Sequence, residues 1–268
     1  MKSEILQNFY RNRKLLPYWG GKRYLIKHLL PLIPKHYTYV EVFGGGAALL
    51  FAKTPSPIEV YNDIDQLLAN FFNVFINQFN EFQTIISILP FSDYIRKTYI
   101  KTLNTGTALE KAIKTFYLTH TNWGSFLFGD PGLSRALRSL KIYQNKKHIL
   151  SIFRERIKNV IIENQDFKVI IPKYDNPNTF FYLDPPYLHD TRTRKKGYNN
   201  EMSIEDHIKL LELITNAKGK IMLSCYDNPI YQYYLKDWNK LTFRIYPNIT
   251  PFKQKPVVIE TVYLNYEV

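Results

Sequence analysis

Hydrophobic positions along this chain fall into short runs, some alternating every second residue and others repeating at helical spacing. Thr38-Tyr39-Val40-Glu41-Val42-Phe43 and Ile58-Glu59-Val60-Tyr61-Asn62 are short, β-branched and aromatic, and read as strands. Between them, Gly44-Gly45-Gly46 opens a turn into an apolar helix from Ala47 to Ala52. Upstream, Leu15 to Arg23 is a loop built around Gly20-Gly21. It leads into a helix from about Tyr24 to Leu32, stopped near Pro34. After the second strand, Asp63-Ile64-Asp65 precedes a helix from about Gln66 to Asn80. Strand, glycine turn, helix, strand and acid make the opening βαβ unit of a Rossmann-like α/β sheet.

The alternation breaks between about residues 82 and 150, where helical spacing persists without a convincing strand. From Phe91 to Leu150 there are ten Lys or Arg against three acids, with a loop from Thr119 to Gly132 in the middle. Residues 82–145 therefore read as a small, basic, mainly helical insertion, leaving 1–81 and 146–268 as the main α/β domain. The rhythm resumes with a helix from about Lys146 to Lys158 and a strand, Val160 to Glu163, followed by Asn164-Gln165-Asp166-Phe167. Phe180-Phe181-Tyr182-Leu183 is a further strand, bounded by Asn176-Pro177-Asn178 and by Pro185-Pro186. Ser203, with Asp206 three positions on, resembles a capping box and starts a helix to about Thr215. Strands Lys220 to Tyr226, Leu241 to Tyr246 and Val257 to Tyr266 complete a mostly parallel sheet, the last two as an antiparallel edge hairpin. There is no internal repeat.

A chain of 268 residues suffices for one large domain with a smaller insertion. No run approaches the ~18 apolar residues of a membrane span, and Met1-Lys2-Ser3-Glu4 lacks the apolar stretch of a secretory signal. The single Cys225 excludes an intrachain disulfide and reads as a small buried hydrophobe, so a cytoplasmic protein is the simplest reading. Lys and Arg number 36 against 23 Asp and Glu, and a net charge of +13 suits a polyanionic partner. The six histidines are scattered, and none forms a ligand-spaced cluster with Cys225. No metal is expected, and His120 and His207 read as structural or surface residues.

Phe43-Gly44-Gly45-Gly46 lies where glycine lets a backbone approach a ligand closely. The dinucleotide fingerprint requires Gly or Ala at position 49, and Leu49 stands there, which argues against NAD or FAD. An acid near the end of the second strand is placed to hold ribose hydroxyls; Asp63 fits, with Asp65 nearby. A ribose-bearing ligand without a pyrophosphate satisfies both observations. The sharper feature is Asp184-Pro185-Pro186-Tyr187, a carboxylate and a ring on a proline-stiffened stem at a strand's carboxyl end. An ionised carboxylate accepts hydrogen bonds and donates none, and the Pro185 carbonyl is a second fixed acceptor. Two acceptors at one point suit a planar NH2 group, and Tyr187 can stack on the ring that carries it.

These residues carry a family resemblance. Asp184-Pro185-Pro186-Tyr187, Phe43-Gly44-Gly45-Gly46 and Tyr18-Trp19-Gly20-Gly21-Lys22 look like the motifs of the Dam-type, alpha-group DNA adenine-N6 methyltransferases. Asn62-Asp63-Ile64-Asp65 and Asp166-Phe167 match that class's next two cofactor motifs, and Thr121-Asn122-Trp123-Gly124 resembles a turn in its target-recognition insertion. The resemblance implies S-adenosylmethionine as cofactor, S-adenosylhomocysteine as product, no metal, and double-stranded DNA as partner. It implies that Tyr18, Trp19, Gly20 and Lys22 lie over the cofactor, while Phe43, Gly44, Gly45 and Gly46 line its methionine end. Asp63 and Ile64 would sit at the ribose, Asp166 and Phe167 at the adenine, and Asp184 beside the transferred methyl. Family members usually carry a single aromatic before Gly-Gly-Lys. Here two adjoin, so the choice of Tyr18 over Trp19 as stacking ring rests on alignment.

The reaction so implied begins with an adenine flipped out of the duplex and clamped by Tyr187. Its amine would be held by the Asp184 carboxylate and the Pro185 carbonyl, as positioning and electrostatic catalysis. Arg192, Arg194, Lys195 and Lys196 follow the stem and would contact phosphates, with Tyr198 as a second aromatic wall; a solvated surface turn is the other reading. Asn122, Trp123, Arg135 and Arg138 would supply the insertion's DNA contacts, the two arginines to guanine edges or equally to phosphates. A monomer is expected, and a cognate restriction endonuclease is a possible partner. Two other functions stay open: methylation of another amine (RNA adenine, cytosine N4 or protein glutamine), and a DNA-binding module without catalysis. Asp184 favours DNA adenine over the former, and the undamaged stem and glycine turn argue against the latter.

Overall fold

The computed structural model describes residues 2–18, 25–125, 127, 129–134, 137–188, 201–245 and 258–268. In chain order these form α1 (Lys2–Asn12), α2 (Ile26–Leu29) with a following 3-10 turn, β1 (Thr38–Glu41), α3 (Ala48–Ala52) and β2 (Ile58–Asn62). Then come α4 (Gln66–Asn77), α5 (Phe79–Ile88), α6 (Asp93–Thr102), α7 (Ala108–Thr121), α8 (Leu137–Ile157) and β3 (Ile161–Glu163). The remainder is α9 (Phe167–Tyr174), β4 (Thr179–Leu183), α10 (Ile204–Thr215), β5 (Lys220–Cys225), α11 (Pro229–Tyr234), β6 (Asn239–Ile245) and β7 (Val258–Leu264). The chain divides into two compact units, one of residues 1–21, 45–53 and 65–164, the other of 22–44, 54–64 and 165–268.

The second unit holds six strands in the order β2-β1-β4-β5-β7-β6. β2, β1, β4 and β5 run parallel, β7 is antiparallel to β5, and β6 is antiparallel to β7. The expected mixed α/β sheet with an antiparallel edge hairpin is what the chain forms. All five residues of β4 are buried, as befits the continuous apolar run of a central parallel strand. One face of the sheet, with Val40, Val42, Val60, Phe181, Leu183, Ile221, Leu223 and Cys225, packs on α9, α10 and α11 through Ile170, Leu210, Leu211 and Tyr231. α10 earns its place by spacing: His207, Leu210, Leu211 and Ile214 are its buried residues, and Ser203 and Asp206 form the expected capping box. Cys225 is buried, as its strand setting predicts. His207 Nδ1 lies 2.8 Å from the Tyr231 hydroxyl and links α10 to α11.

The first unit is helical around an aromatic core of Phe71, Phe72, Phe75, Phe82 and Phe116. Phe71 and Phe116 stack with centroids 6.2 Å apart, joining α4 to α7. A capping box, Thr107 with Glu110, starts α7. α1 joins this unit through the Tyr10 hydroxyl, which donates to the Ile152 carbonyl of α8 at 2.8 Å.

The structure departs from the sequence pattern at several ends. β1 stops at Glu41, two residues short of the expected end, because the chain bends into the glycine turn. α8 begins at Leu137, well before the expected Lys146. α1, α9 and α11 were not expected; the last two are only eight and six residues long, and α9 carries Pro172 inside it.

Candidate active site

The parallel strands of the second unit end together. Glu41 pairs with Tyr61 on one side and Tyr182 on the other, and Leu183 pairs with Leu223. The Val42 amide extends the ladder to the Tyr182 carbonyl at 3.1 Å. Phe43-Gly44, Asp63 and Asp184 therefore leave three neighbouring strands at one edge. Two interstrand spacings, about 10 Å, separate the ends of β2 and β4. The strand order reverses between β1 and β4, which is where open α/β sheets bind ligands.

Each end is fixed by its own contacts. The Gly44 amide donates to the Asn62 carbonyl at 2.8 Å, and a Cβ on Gly44 would stand 2.2 Å from Cε2 of Tyr61. Glycine is needed here for the approach of a ring of the protein itself. In the first unit, Gly45 takes a φ of +49°, and the Tyr18 ring lies 3.3 Å from where its Cβ would be. Gly46 follows, its backbone beside the Leu16 carbonyl. At β2, Asn62 is buried and acts as a clamp: its side-chain amide donates to the carbonyls of Val42 at 2.8 Å and Gln165 at 3.0 Å, and Oδ1 accepts from the Gln165 amide at 2.9 Å. The loop carrying Asp166 is thereby tied to the end of β2. Asp63 is partly exposed and Ile64 is 42 % exposed, whereas Asp65 is buried and caps α4 by accepting from the Leu67 amide at 2.9 Å. Asp63, not Asp65, is the accessible acid of this run. Asp166 caps α9, Oδ1 accepting from the Lys168 amide at 2.8 Å, and the Phe167 ring lies 6.0 Å from that of Phe43.

On the stem, Pro185 is buried, while Asp184, Pro186 and Tyr187 are partly exposed. Beneath Asp184 stands Tyr182, whose hydroxyl is held well above its usual pKa by burial first, then by the carboxylates of Asp184, Glu41 and Glu260. It stays neutral at any working pH. The Tyr187 hydroxyl donates to Glu260 Oε2 at 2.8 Å, and its ring centroid lies 4.3 Å from that of Tyr226. Asp227, next to Tyr226, accepts from the Tyr263 hydroxyl at 2.7 Å and from Lys240 Nζ at 2.6 Å.

In the first unit, the loop after α7 is clamped from below. The buried Arg96 donates to Asp93 at 2.7 Å, to Asp130 at 2.6 Å and to Asn122 Oδ1 at 3.3 Å. The Trp123 amide closes the loop on the Gly132 carbonyl at 3.0 Å. Asn122 is buried in this clamp, while Trp123 is 51 % exposed. Arg138 lies in the first turn of α8. Trp19, Gly20, Lys22, Arg135, Arg192, Arg194, Lys195, Lys196 and Tyr198 lie outside the described residues.

Residues 18–249 match the family described as D12 class N6 adenine-specific DNA methyltransferase. The chain belongs to that family. The methyltransferase is 26 % identical over 270 residues to the Type II methyltransferase M1.LlaDCHI of Lactococcus lactis subsp. cremoris, covering 88 % of this chain and 89 % of the relative. It is 24 % identical over 217 residues to the Type II methyltransferase M.CviBI of Paramecium bursaria Chlorella virus NC1A, covering 79 % and 82 %. A putative methyltransferase of Haemophilus influenzae is 26 % identical over 222 residues, covering 76 % and 72 %.

The methyltransferase acts on DNA at adenine N6, and its family implies S-adenosylmethionine as methyl donor. The residues present fit such a group: a glycine turn at the end of β1, an accessible carboxylate at Asp63 and the apolar Phe167 at the neighbouring loop. Among the described residues, no three His, Cys, Asp or Glu are grouped to hold a metal, and no helix is long and apolar enough to cross a membrane.

Glu260, Tyr226, Asp227 and Arg96 were given no role by the sequence, and Asn62 was placed in a motif without its clamp being visible. Two left a signal. Asn62 is the polar end of an apolar strand, and Glu260 is the lone acid in the run Val257 to Tyr263.

Proposed function

We propose that the methyltransferase takes a flipped-out adenine of duplex DNA onto the Asp184 stem. The observation that carries this is a carboxylate and a proline-stiffened carbonyl at the end of the buried β4, beside the β1 turn. The Asp184 carboxylate and the Pro185 carbonyl accept the two N6 hydrogens, draw the nitrogen towards sp3 geometry and free its lone pair. S-adenosylmethionine, when bound, would supply the electrophilic methyl carbon that the N6 lone pair takes and would leave as S-adenosylhomocysteine. The methylated ammonium then loses one proton to solvent, so Asp184 serves as acceptor and no strong base is required. Tyr187 stacks on the extruded base, offsetting the few kcal/mol of unstacking.

Asp63 and Ile64 serve the ribose, Asp166 and Phe167 the adenine of the cofactor, and Tyr18, Trp19, Gly20, Lys22, Phe43, Gly44, Gly45 and Gly46 the remainder. Residues 82–145 deliver the target, with Trp123, Arg135 and Arg138 facing DNA, and Arg192, Arg194, Lys195, Lys196 and Tyr198 follow its backbone. Asn122 supports that surface from beneath, since it is buried against Arg96. The Type II names of two relatives support a place beside a cognate restriction endonuclease.

Tritiated-methyl transfer to unmodified duplex DNA tests the reading. Asp184→Ala should slow transfer on the order of 10²-fold while DNA and S-adenosylhomocysteine still bind. Absence of N6-methyladenine from every DNA offered, or a parent-like rate for Asp184→Ala, would remove it.

A further inference from the structure

We infer that Glu260 is a positioning residue for methyl transfer, acting by anchoring the ring of Tyr187 through its hydroxyl. The inference rests on Tyr187 being the ring that stacks on the target base.

Glu260 lies on β7, where it pairs with Phe243, and is 7 % exposed. A carboxylate that deeply placed needs donors, and the Tyr187 hydroxyl supplies one at 2.8 Å. The bond spans 73 residues of sequence, joining the stem after β4 to the antiparallel hairpin. It ties down the far end of a side chain whose near end is already stiffened by Pro185 and Pro186. The ring has a second constraint in Tyr226, at 4.3 Å and tilted by 54°. Tyr226 itself adjoins Asp227, which is bonded to Tyr263 on β7 and Lys240 on β6. One strand therefore holds both Glu260 and the hydroxyl that fixes the Tyr226 turn, and the plane of Tyr187 is set by the hairpin.

Stacking needs only a ring face, so phenylalanine would stack as well as tyrosine. The hydroxyl matters because it fixes ring orientation. A base clamped by a wobbling ring loses alignment of N6 with the methyl carbon, which lowers kcat more than DNA affinity.

The test uses the full chain with tritiated S-adenosylmethionine and unmodified genomic DNA, reading kcat, KM for DNA, DNA affinity and thermal melting. Glu260→Ala and Tyr187→Phe should each lower kcat by about 10- to 100-fold, the range carried by a hydrogen bond to a charged group. KM for DNA should move less than threefold, roughly. The double variant should be no slower than Glu260→Ala alone, because both substitutions remove one bond. Glu260→Gln, whose amide oxygen still accepts from the hydroxyl, should recover most of the lost rate. Effects that multiply in the double variant overturn the link. So does a Glu260→Gln as slow as Glu260→Ala, or a rate loss that tracks melting alone. Tyr187→Ala separates this from its foundation. A parent-like rate there removes the stacking role and the inference with it, whereas a slow Tyr187→Ala beside a parent-like Glu260→Ala removes the Glu260 link alone.

Discussion

Asn62→Ala should loosen the sheet edge proposed to hold the cofactor, without removing a residue assigned to it. The side chain is 1 % exposed and makes three hydrogen bonds, two as donor to the carbonyls of Val42 and Gln165, one as acceptor from the Gln165 amide. Each buried group left unmet costs about 1–3 kcal/mol, and the carbonyls keep a second lone pair, so a loss of about 3 kcal/mol is expected in urea unfolding. Asp63 adjoins Asn62 and Asp166 adjoins Gln165, so S-adenosylhomocysteine should bind about tenfold more weakly by calorimetry. Asn62→Asp sharpens the test. It keeps the acceptor for the Gln165 amide but turns an oxygen towards two carbonyls. Burial and that repulsion raise the introduced carboxyl's folded pKa above its unfolded value of about 3.9. A group with a raised folded pKa contributes stability that is present below its unfolded pKa and lost as pH rises through the folded one. Asn62→Asp should therefore be worse than Asn62→Ala at pH 8 and gain on it during acidification. A parent-like Asn62→Ala refutes the clamp. An Asn62→Asp that outperforms Asn62→Ala at pH 8 refutes the placement of two carbonyl acceptors against this side chain.

Gly44→Ala places a methyl 2.2 Å from Tyr61 Cε2, and the overpacking should cost about 1–3 kcal/mol; adding Tyr61→Leu should return part of it in urea unfolding. His120, whose Nδ1–H donates to the Phe116 carbonyl at 2.7 Å, has its pKa lowered to about 3 by burial and then by the Lys146 charge. Because the unfolded imidazole takes up its proton near pH 6.5 and the folded one does not until about pH 3, melting temperature should fall as pH drops below neutrality, and less so in His120→Gln. Arg96→Met should release the loop from Asn122 to Asp130, seen as faster chymotryptic cleavage beside Trp123, with little loss in the second unit's own unfolding. Unchanged cleavage would show that the backbone bond from Trp123 to Gly132 suffices.

The fold was legible wherever local chemistry and tertiary position agree. β4 is all apolar and aromatic, and it is the central strand; Ser203 and Asp206 cap α10 with the spacing their sequence shows. It was illegible where one element depends on another. α9 and α11 are too short to show a period, and they are helices because Asp166 and Asn228 cap them and the sheet face below is apolar. The site divides in the same way. Asp184, Tyr187 and Asp63 were visible as residue types at the ends of runs. Glu260 and Asn62 were not, because their roles are set by partners 73 and 103 residues away. Gly44 was expected to serve a ligand, and its near neighbour is Tyr61 of the next strand.

Why the acid proposed to hold the target amine stands one residue past β4 follows from where the chain goes next. β1 and β4 are parallel neighbours, and the sheet order reverses between them. Beyond β1 the backbone turns to the β2 side, where the Gly44 amide reaches the Asn62 carbonyl. Beyond β4 the stem turns the opposite way, where Tyr187 reaches Tyr226 after β5 and Glu260 on β7. Two adjacent strands that part in opposite directions leave a crevice between their ends that needs no lid or insertion to create it. Asp184 is the last residue before the parting. It is still held by a strand paired on both sides, yet its side chain is partly exposed. An acid one residue earlier would be fixed but buried in the ladder; one residue later it would ride on the departing stem. Lengthening β4 by one residue should abolish transfer while leaving Tyr187 able to find Glu260, since the stem beyond the insertion keeps its own anchors.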